Sequence, residues 1–249
     1  MRFALHLALL AATAGALSAC GGEDLADALN IGSPRARLVN AIPNGPSVQL
    51  YRDDNLQSDA GTLGYEQASK YFDTVVTTST WTLRDASSNT QVGSTSLRVA
   101  GSTRYTLVAF AGAGTQADIA QISDPYDFDL GKKNARVRVV NGSSNAGTFD
   151  LYLTALGADL ASATPVMTSV GYEGVSPASG ANSTTISAGT YKLTITTAGT
   201  RNVLFNGTLA AKNDDDLLLL TLPKSTAAGD IKVLDVPSDT DQSNFEIPN

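Results

Sequence analysis

The sequence predicts an all-β protein built from two tandem β-sandwich domains. Residues 37–51 (RLVNAIPNGPSVQLY) return 101 positions later as residues 138–152 (RVVNGSSNAGTFDLY), and a period near 100 residues indicates tandem domains, not a solenoid of small repeats. Short stretches that alternate apolar with polar residues are separated by turn signals such as PNGP, SSNAG and KNDDD. Such spacing, without a helical period of any length, favours sandwiches of immunoglobulin-like build.

Further blocks of the two copies match in the same order along the chain. They are LGYE at 63–66 with VGYE at 170–173, YTLVAF at 105–110 with LLLLTL at 217–222, and ADIAQISDP at 117–125 with GDIKVLDVP at 229–237. The offset between the copies grows along the chain, but it changes only between matched blocks and never inside one. This is expected if insertions fall in loops while the strands keep their length.

Alternation predicts which side chains face the core. SVQLYRD and TFDLYLT place Val48 with Leu50, and Phe149 with Leu151, on one face of a strand. The single tryptophan, Trp81, lies in the alternating segment TWTLRD and is expected to be buried.

The segment LLLLTL at 217–222 does not alternate, and it is too short to span a membrane. It is therefore predicted to be a central strand that is covered on both faces. Such a run favours aggregation, and the flanking Asp214–Asp216 triplet and Pro223-Lys224 pair act as gatekeepers.

The first twenty residues, MRFALHLALLAATAGALSAC, have the layout of a secretory signal: Arg2, an apolar stretch, then small residues. The ending LSAC, followed by Gly21, resembles the lipobox of bacterial lipoproteins, in which the signal peptidase cuts before the cysteine and the cysteine is acylated. We therefore expect a lipid at Cys20. Gly21 resembles the sorting residue of lipoproteins sent to the outer membrane of Gram-negative cells. The alternative is an ordinary signal peptide with a chance cysteine.

Composition and turn signals then divide the chain. Pro, Gly and charged residues cluster between the last strand of the first copy and the first strand of the second. The polar C-terminal tail is expected to be loose. The predicted parts are a signal peptide at 1–19, a lipidated cysteine and flexible tether at 20–34, a sandwich at 35–125, a linker at 126–134, a second sandwich at 135–237, and the tail at 238–249.

Cleavage before Cys20 changes the chemistry that remains. The full chain has 17 basic and 24 acidic residues; loss of Arg2 leaves 16 against 24, a net charge of −8. The only histidine, His6, is also lost, and the only cysteine carries lipid. Composition then excludes Ser-His-Asp triads, Cys-His pairs, zinc sites with His or Cys ligands, and disulfides. We predict no enzyme activity, no cofactor and no metal, and without a basic patch no nucleic-acid partner.

Four asparagines occupy equivalent places in the two copies. Asn40 and Asn141 end a strand just before a turn, and Asn44 and Asn145 lie inside that turn. Asparagine side chains cap their own backbone in such turns, so a structural role is predicted, with ligand binding as the alternative.

Tyrosines and acidic runs supply the other candidate sites. Tyr51 and Tyr152 follow core-facing leucines, so alternation turns them outward, where they either cover a sheet face or line a shared groove. Acidic runs at 52–54, 124–129 and 213–216 raise the hypothesis of calcium at the domain junction. None of them has the D-x-D-x-D-G spacing, so solvated acidic turns are the favoured interpretation.

The repeated motifs RLVNAIPNGPSVQLY and RVVNGSSNAGTFDLY, with TSTWTL, YTLVAFAG, SAGTYKL and LLLLTLP, resemble the bacterial family catalogued as domain of unknown function 4397. The resemblance covers about residues 35–237. It implies immunoglobulin-like sandwiches, often in tandem and commonly in exported lipoproteins, with no assigned activity. The family pattern also implies histidine near positions 40 and 141 and aspartate near 44 and 145, where this chain has asparagine.

These observations predict a lipid-anchored cell-envelope protein, in the outer membrane if the cell is Gram-negative. We expect it to act as a structural or protein-interaction module of the adhesion type, with a protein or glycan partner. The alternative is a carbohydrate-binding protein or a glycosidase with two catalytic carboxylates, because that mechanism needs neither histidine nor cysteine.

Overall fold

The structure is a computed structural model that describes residues 32–114, 116–125, 133–236, 238 and 246–248. The predicted signal peptide, Cys20, most of the tether and most of the linker lie outside these residues. The described residues are mostly strands, which confirms the all-β prediction. Their helices are two 3-10 turns, Ser58–Ala60 and Leu160–Ser162.

The first copy of the repeated sequence, called repeat 1, forms two sheets. Its inner sheet has the order β10-β9-β1-β5, with β6 also on β1, and its outer sheet has the order β3-β2-β7-β8, with β4 also on β2. The strands are β1 (Arg35–Ala41), β2 (Val48–Arg52), β3 (Asn55–Leu56), β4 (Thr62–Leu63), β5 (Gln67–Ala68), β6 (Phe72–Asp73), β7 (Thr78–Asp85), β8 (Gln91–Arg98), β9 (Thr103–Ala111) and β10 (Ala117–Pro125).

The second copy, repeat 2, is built in the same way. Its inner sheet has the order β14-β11-β18-β19, with β15 also on β11, and its outer sheet has the order β13-β12-β16-β17. The strands are β11 (Asn134–Asn141), β12 (Phe149–Thr154), β13 (Met167–Val170), β14 (Val175–Ser176), β15 (Thr184–Ser187), β16 (Gly189–Thr197), β17 (Val203–Ala211), β18 (Asp216–Pro223) and β19 (Ile231–Val236).

The two inner sheets share a parallel strand pair and its register. Leu38 of β1 lies opposite Leu107 of β9, and Val139 of β11 lies opposite Leu219 of β18. Leu38 corresponds to Val139, and Leu107 to Leu219, in the matched sequence blocks of the two copies. The duplication of the sequence is therefore a duplication of strand pairing.

Three apolar layers hold four sheets together, which confirms the layered sandwich architecture. One layer lies inside each repeat, and Trp81 and Leu50 are buried in that of repeat 1 as expected. The third layer lies between the two inner sheets. Accordingly, Leu219 points into repeat 2 whereas Leu218 points toward repeat 1, so β18 is covered on both faces as its non-alternating sequence predicts.

The C-terminal end departs from the predicted loose tail. Glu246 bridges Leu234 of β19, and the Ile247 amide donates to the Val233 carbonyl at 2.8 Å. The Ile247 side chain is only 5% exposed and belongs to the core of repeat 2. The prediction is wrong for 246–248, because the Ile247 side chain fills part of the core of repeat 2 and its backbone pairs with the open edge of β19.

Candidate functional site

The asparagines that end β1 and β11 have a structural role. Asn40 Nδ2 donates to the Leu63 carbonyl at 3.0 Å, and its Oδ1 accepts the Ile42 amide at 3.1 Å. Asn141 repeats both bonds with Val170, at 3.0 Å, and Ser143, at 3.0 Å.

Both asparagine residues are fully buried, and each ties the end of an inner strand to an edge strand of the outer sheet. The predicted capping role is therefore observed, and burial keeps both amides out of reach of a ligand.

The asparagines within the turns differ from each other. Asn44 takes the left-handed conformation, with φ of 57°, which asparagine tolerates better than most residues. Asn145 Nδ2 donates to the carbonyls of Ser225, Ala227 and Asp230 at 3.0, 2.6 and 3.2 Å. Asn145 therefore fixes the turn between β18 and β19 in place.

These turns line a cleft of about 490 Å³ at the junction of the two repeats. The turn after β1, the turn after β11 and the turn after β18 form its walls. Ligand sites often lie in clefts of such volume at domain junctions, so this cleft is the candidate site. Its lining consists of Pro43, Asn44, Tyr65, Ser144, Asn145, Pro223, Lys224, Ser225, Thr226 and Lys232.

An ion pair between the repeats forms one side of the cleft. The Lys232 ammonium of β19 bonds the Glu66 carboxylate and lies 5.5 Å from the centre of the Tyr65 ring. Burial, followed by the neighbouring Glu66 charge, raises the pKa of the Tyr65 phenol to about 12, so this hydroxyl stays protonated at neutral pH. The Tyr65 hydroxyl also hydrogen-bonds Glu66, so the wall offers a ligand the Lys232 ammonium beside an aromatic ring.

A cluster of buried charges joins the repeats near the opposite ends of the inner strands. Arg104 of β9 pairs with Asp216 of β18, and Arg138 Nη2 of β11 lies 3.1 Å from Asp124 Oδ1 of β10. Arg104 Nη2 also lies 3.6 Å from Asp124 Oδ2. Burial, then the Asp216 charge, raises the pKa of Asp124, and the two arginines oppose that rise.

The aromatic ring of Tyr71 lies against this cluster. The guanidinium carbon of Arg37 is 4.6 Å from the ring centre, and that of Arg104 is 5.4 Å away. Thr106 Oγ1 accepts from Arg37 Nε at 2.9 Å and shares a hydrogen bond with the Tyr71 hydroxyl. The buried guanidinium groups are thus solvated by protein groups in place of water.

Both tyrosines point away from the sandwich core as alternation predicts, but they share no groove, and Tyr152 is not exposed: it is covered to 2% exposure whereas Tyr51 is half-buried. The guanidinium carbon of Arg84 lies 4.5 Å from the centre of the Tyr51 ring, and that of Arg201 lies 5.1 Å from the centre of the Tyr152 ring. They lie on the outer sheets of different repeats, which the inner sheets separate. Each tyrosine covers a sheet face under an arginine, which was the first of the two predicted roles.

The acidic runs form turns and ion pairs where they are described. The Thr80 amide donates to Asp53 Oδ1 at 2.8 Å, and this bond is the main cause of the lowered pKa of Asp53. Asp54 pairs with Arg84. Within the described ranges, no group of three or more acidic, histidine or cysteine side chains is placed to hold a metal.

Sequence reasoning missed the residues that join the repeats. Arg104 and Asp216 lie at the starts of strands that are otherwise mostly apolar and buried. A charged residue in such a strand needs a buried partner, and this was the signal that could have identified the two residues. The matched blocks LGYE and VGYE also marked Tyr65 and Glu66 as repeated features. Lys232 carried no comparable signal.

The comparisons with known proteins concern the family and the fold. No curated protein matches the chain. One matching solved structure is the crystal structure of CBMbc (family CBM26) from Eubacterium rectale Amy13K in complex with maltoheptaose. It has 12% sequence identity and a TM-score of 0.28, with 82% of this chain and 97% of that chain covered, values that say nothing about a ligand of this chain.

Within the residues that the structure describes, no helix has the length and apolar character needed to cross a membrane.

Residues 34–152 match the model of the family described as domain of unknown function (DUF4397), which takes in all of repeat 1 and continues into β12 of repeat 2. Residues 34–152, which are 119 of the 249 residues of the chain, are therefore assigned to the DUF4397 family.

Proposed function

We propose that the chain is a lipid-anchored protein of the cell envelope that acts as a non-catalytic protein-interaction module. The lipobox-like segment ending at Cys20 supports the anchor, and the residues between it and repeat 1 would act as a tether. The predicted tether bound of residue 34 is too late, because Gly32 is already held by repeat 1: its amide donates to Ser102 Oγ at 2.9 Å.

The observation that carries the interaction role is the cleft at the junction. The duplicated turns after β1 and β11 converge there, and hydrogen bonds from Asn145 already fix one wall. A surface that is ordered before binding costs little conformational entropy when a partner arrives. The apolar layer between the inner sheets supports the same conclusion, because it holds the two halves of the cleft together.

The anchor is tested by replacing Cys20. We expect the wild-type protein to take up an alkyne fatty acid in cells and to sediment with membranes. Cys20→Ala should lose the label and leave the membrane fraction, whereas the control Ser18→Ala keeps a small residue and should retain both. A Cys20→Ala protein that stays in the membrane pellet would contradict the anchor.

The cleft is tested by placing a photo-crosslinking amino acid at Thr226 in its lining, with Thr190 as the control. Thr190 is exposed on the outer sheet of repeat 2, on β16. Irradiation of cells should give an adduct of defined mass from position 226 and none from position 190. Adducts from position 190 alone would place the partner on the outer sheet and refute the cleft.

The carbohydrate alternative is separated by a glycan array probed with purified residues 21–249. The protein-interaction role predicts no specific hit. A tight glycan hit that is lost on Tyr65→Ala, which removes the ring from the cleft, would replace our proposal with a carbohydrate-binding function.

A further inference from the structure

The layer between the repeats uses equivalent surfaces of the two inner sheets. Val39 corresponds to Val140, Val108 to Leu220, and Ile122 to Leu234 in the matched blocks of the two copies. All six side chains are buried in this one layer.

Apolar contacts between equivalent positions do not by themselves distinguish one repeat from the other. Two copies of the chain therefore have the surfaces for pairing repeat 1 with repeat 1, as a self-complementary dimer interface does.

The charged end of the interface does distinguish them. Arg104 and Asp216 are equivalent positions, because they directly precede the matched blocks YTLVAF and LLLLTL, and they pair with each other across the interface. Their side chains are only 11% and 14% exposed. In a pair of like repeats, Arg104 would meet Arg104, or Asp216 would meet Asp216, and burying like charges together is strongly unfavourable.

A second asymmetry lies beside this ion pair. Arg138 bonds Asp124 of repeat 1, whereas the position equivalent to Asp124 in repeat 2 is Val236. Arg37, the equivalent of Arg138, donates to the backbone carbonyl of Val236 at 3.5 Å. A pair of two copies of repeat 2 would therefore lose this arginine–carboxylate bond across the interface. In a pair of two copies of repeat 1, Arg37 would instead meet Asp124, so only the charges at positions 104 and 216 act against both like pairs.

A loop of repeat 2 adds contacts that depend on this arginine. Arg138 donates to the carbonyls of Pro177, Ala178 and Ala181 and so holds the loop in place. From that loop, the Ser179 hydroxyl accepts the Ser123 amide at 2.9 Å, and the Gly180 amide donates to the Ser123 carbonyl at 2.8 Å. The loop covers the free edge of β10, the edge through which a second copy would otherwise pair.

We propose that the inner sheets form an obligate heterotypic interface: repeat 1 binds repeat 2, and the charges at positions 104 and 216 exclude pairing of like repeats between two chains. The partner for this surface is the other repeat of the same chain. The duplication gives the two repeats matching apolar faces. Because position 104 is positive and position 216 is negative, each face is complementary to the face of the other repeat but not to a second copy of itself.

The test uses the full mature chain with a protease recognition sequence placed within residues 126–132. After folding and cleavage, the two fragments should remain together as a 1:1 complex in size-exclusion chromatography. Arg104→Asp or Asp216→Arg should weaken their association by about 100-fold or more, since each leaves like charges buried together. The double exchange, Arg104→Asp with Asp216→Arg, should restore part of it, because the pair across the interface returns while the carboxylate introduced at position 104 lies beside Asp124.

The matched control is Arg84→Asp, which reverses one charge of the exposed Arg84–Asp54 pair within repeat 1 and should leave fragment association unchanged. Fragment association that is insensitive to either single reversal, or a double exchange that restores nothing, would overturn the proposal.

A second measurement needs no substitution. Cleaved protein with natural isotopes is mixed with cleaved ¹⁵N-labelled protein and allowed to exchange. Native mass spectrometry should then find only complexes of one repeat 1 with one repeat 2. Complexes of two like repeats would refute the heterotypic rule, whatever the behaviour of the variants.

Discussion

Replacing Asn141 by alanine should destabilise the protein by about 4 kcal/mol. The buried side chain makes four hydrogen bonds: its Nδ2 donates to Gly147 and Val170, and its Oδ1 accepts from Ser143 and Thr221. A buried hydrogen bond contributes about 1 kcal/mol, and the partners left unpaired cannot reach water easily. Urea unfolding at pH 7, followed by far-UV circular dichroism, measures the change in the free energy of unfolding.

The duplication supplies an internal comparison for that magnitude. Asn40 makes three such bonds, to Pro46, Leu63 and Ile42; the position equivalent to Thr221 is Ala109, which has no hydroxyl. Asn40→Ala should therefore cost about 3 kcal/mol, one hydrogen bond less. The exposed control, Asn202→Ala, should change stability by less than about 0.5 kcal/mol. A cost below about 1 kcal/mol for Asn141→Ala, or a larger cost for Asn40→Ala, would refute the reasoning.

Three further predictions concern close packing, the C-terminal segment and pH. Gly93→Ala should destabilise by about 1–3 kcal/mol in urea, because its Cβ would lie 2.7 Å from the Ala117 carbonyl oxygen, whereas Gly189→Ala, whose nearest neighbour is at 4.0 Å, should not. Ile247→Ala should cost about 2 kcal/mol in thermal unfolding, and an unchanged melting temperature would argue against the docked segment. Burial, and after it the charge of Asp215, raises the pKa of Asp235 from 3.8 to about 6. The contribution of this group to the free energy of unfolding is therefore fully present below about pH 4 and is lost as the pH rises through 6. Asp235→Asn should reduce this loss and should be more stable than wild type at about pH 7.

The strands and their buried faces could be predicted because they follow from local geometry. Successive side chains of a strand point to opposite faces, so alternation placed Val48 and Leu50 in one core, and its absence in LLLLTL indicated a strand covered twice. Asparagine chemistry likewise predicted the turn role of Asn40 and Asn141, because each side chain accepts the backbone amide two residues further along the chain.

The candidate site could not be predicted in the same way. Its walls come from turns that are far apart in the chain, and no local pattern encodes which turns meet. Tyr65 and Lys232 face each other only because two inner sheets pack with their strand ends aligned. The docked position of Ile247 was missed for a related reason, because two apolar residues, Phe245 and Ile247, are too few in a polar tail to indicate a strand.

The duplication, the strand class and the faces that become buried could all be read from the amino-acid sequence, because they depend on local periodicity or on composition. Three features follow only from the folded chain: the inner sheets bury each other, Arg104 meets Asp216, and the repeated turns enclose a cleft. These contacts depend on the fit of two finished surfaces, and their energy exists only once residues distant in the chain have been brought together.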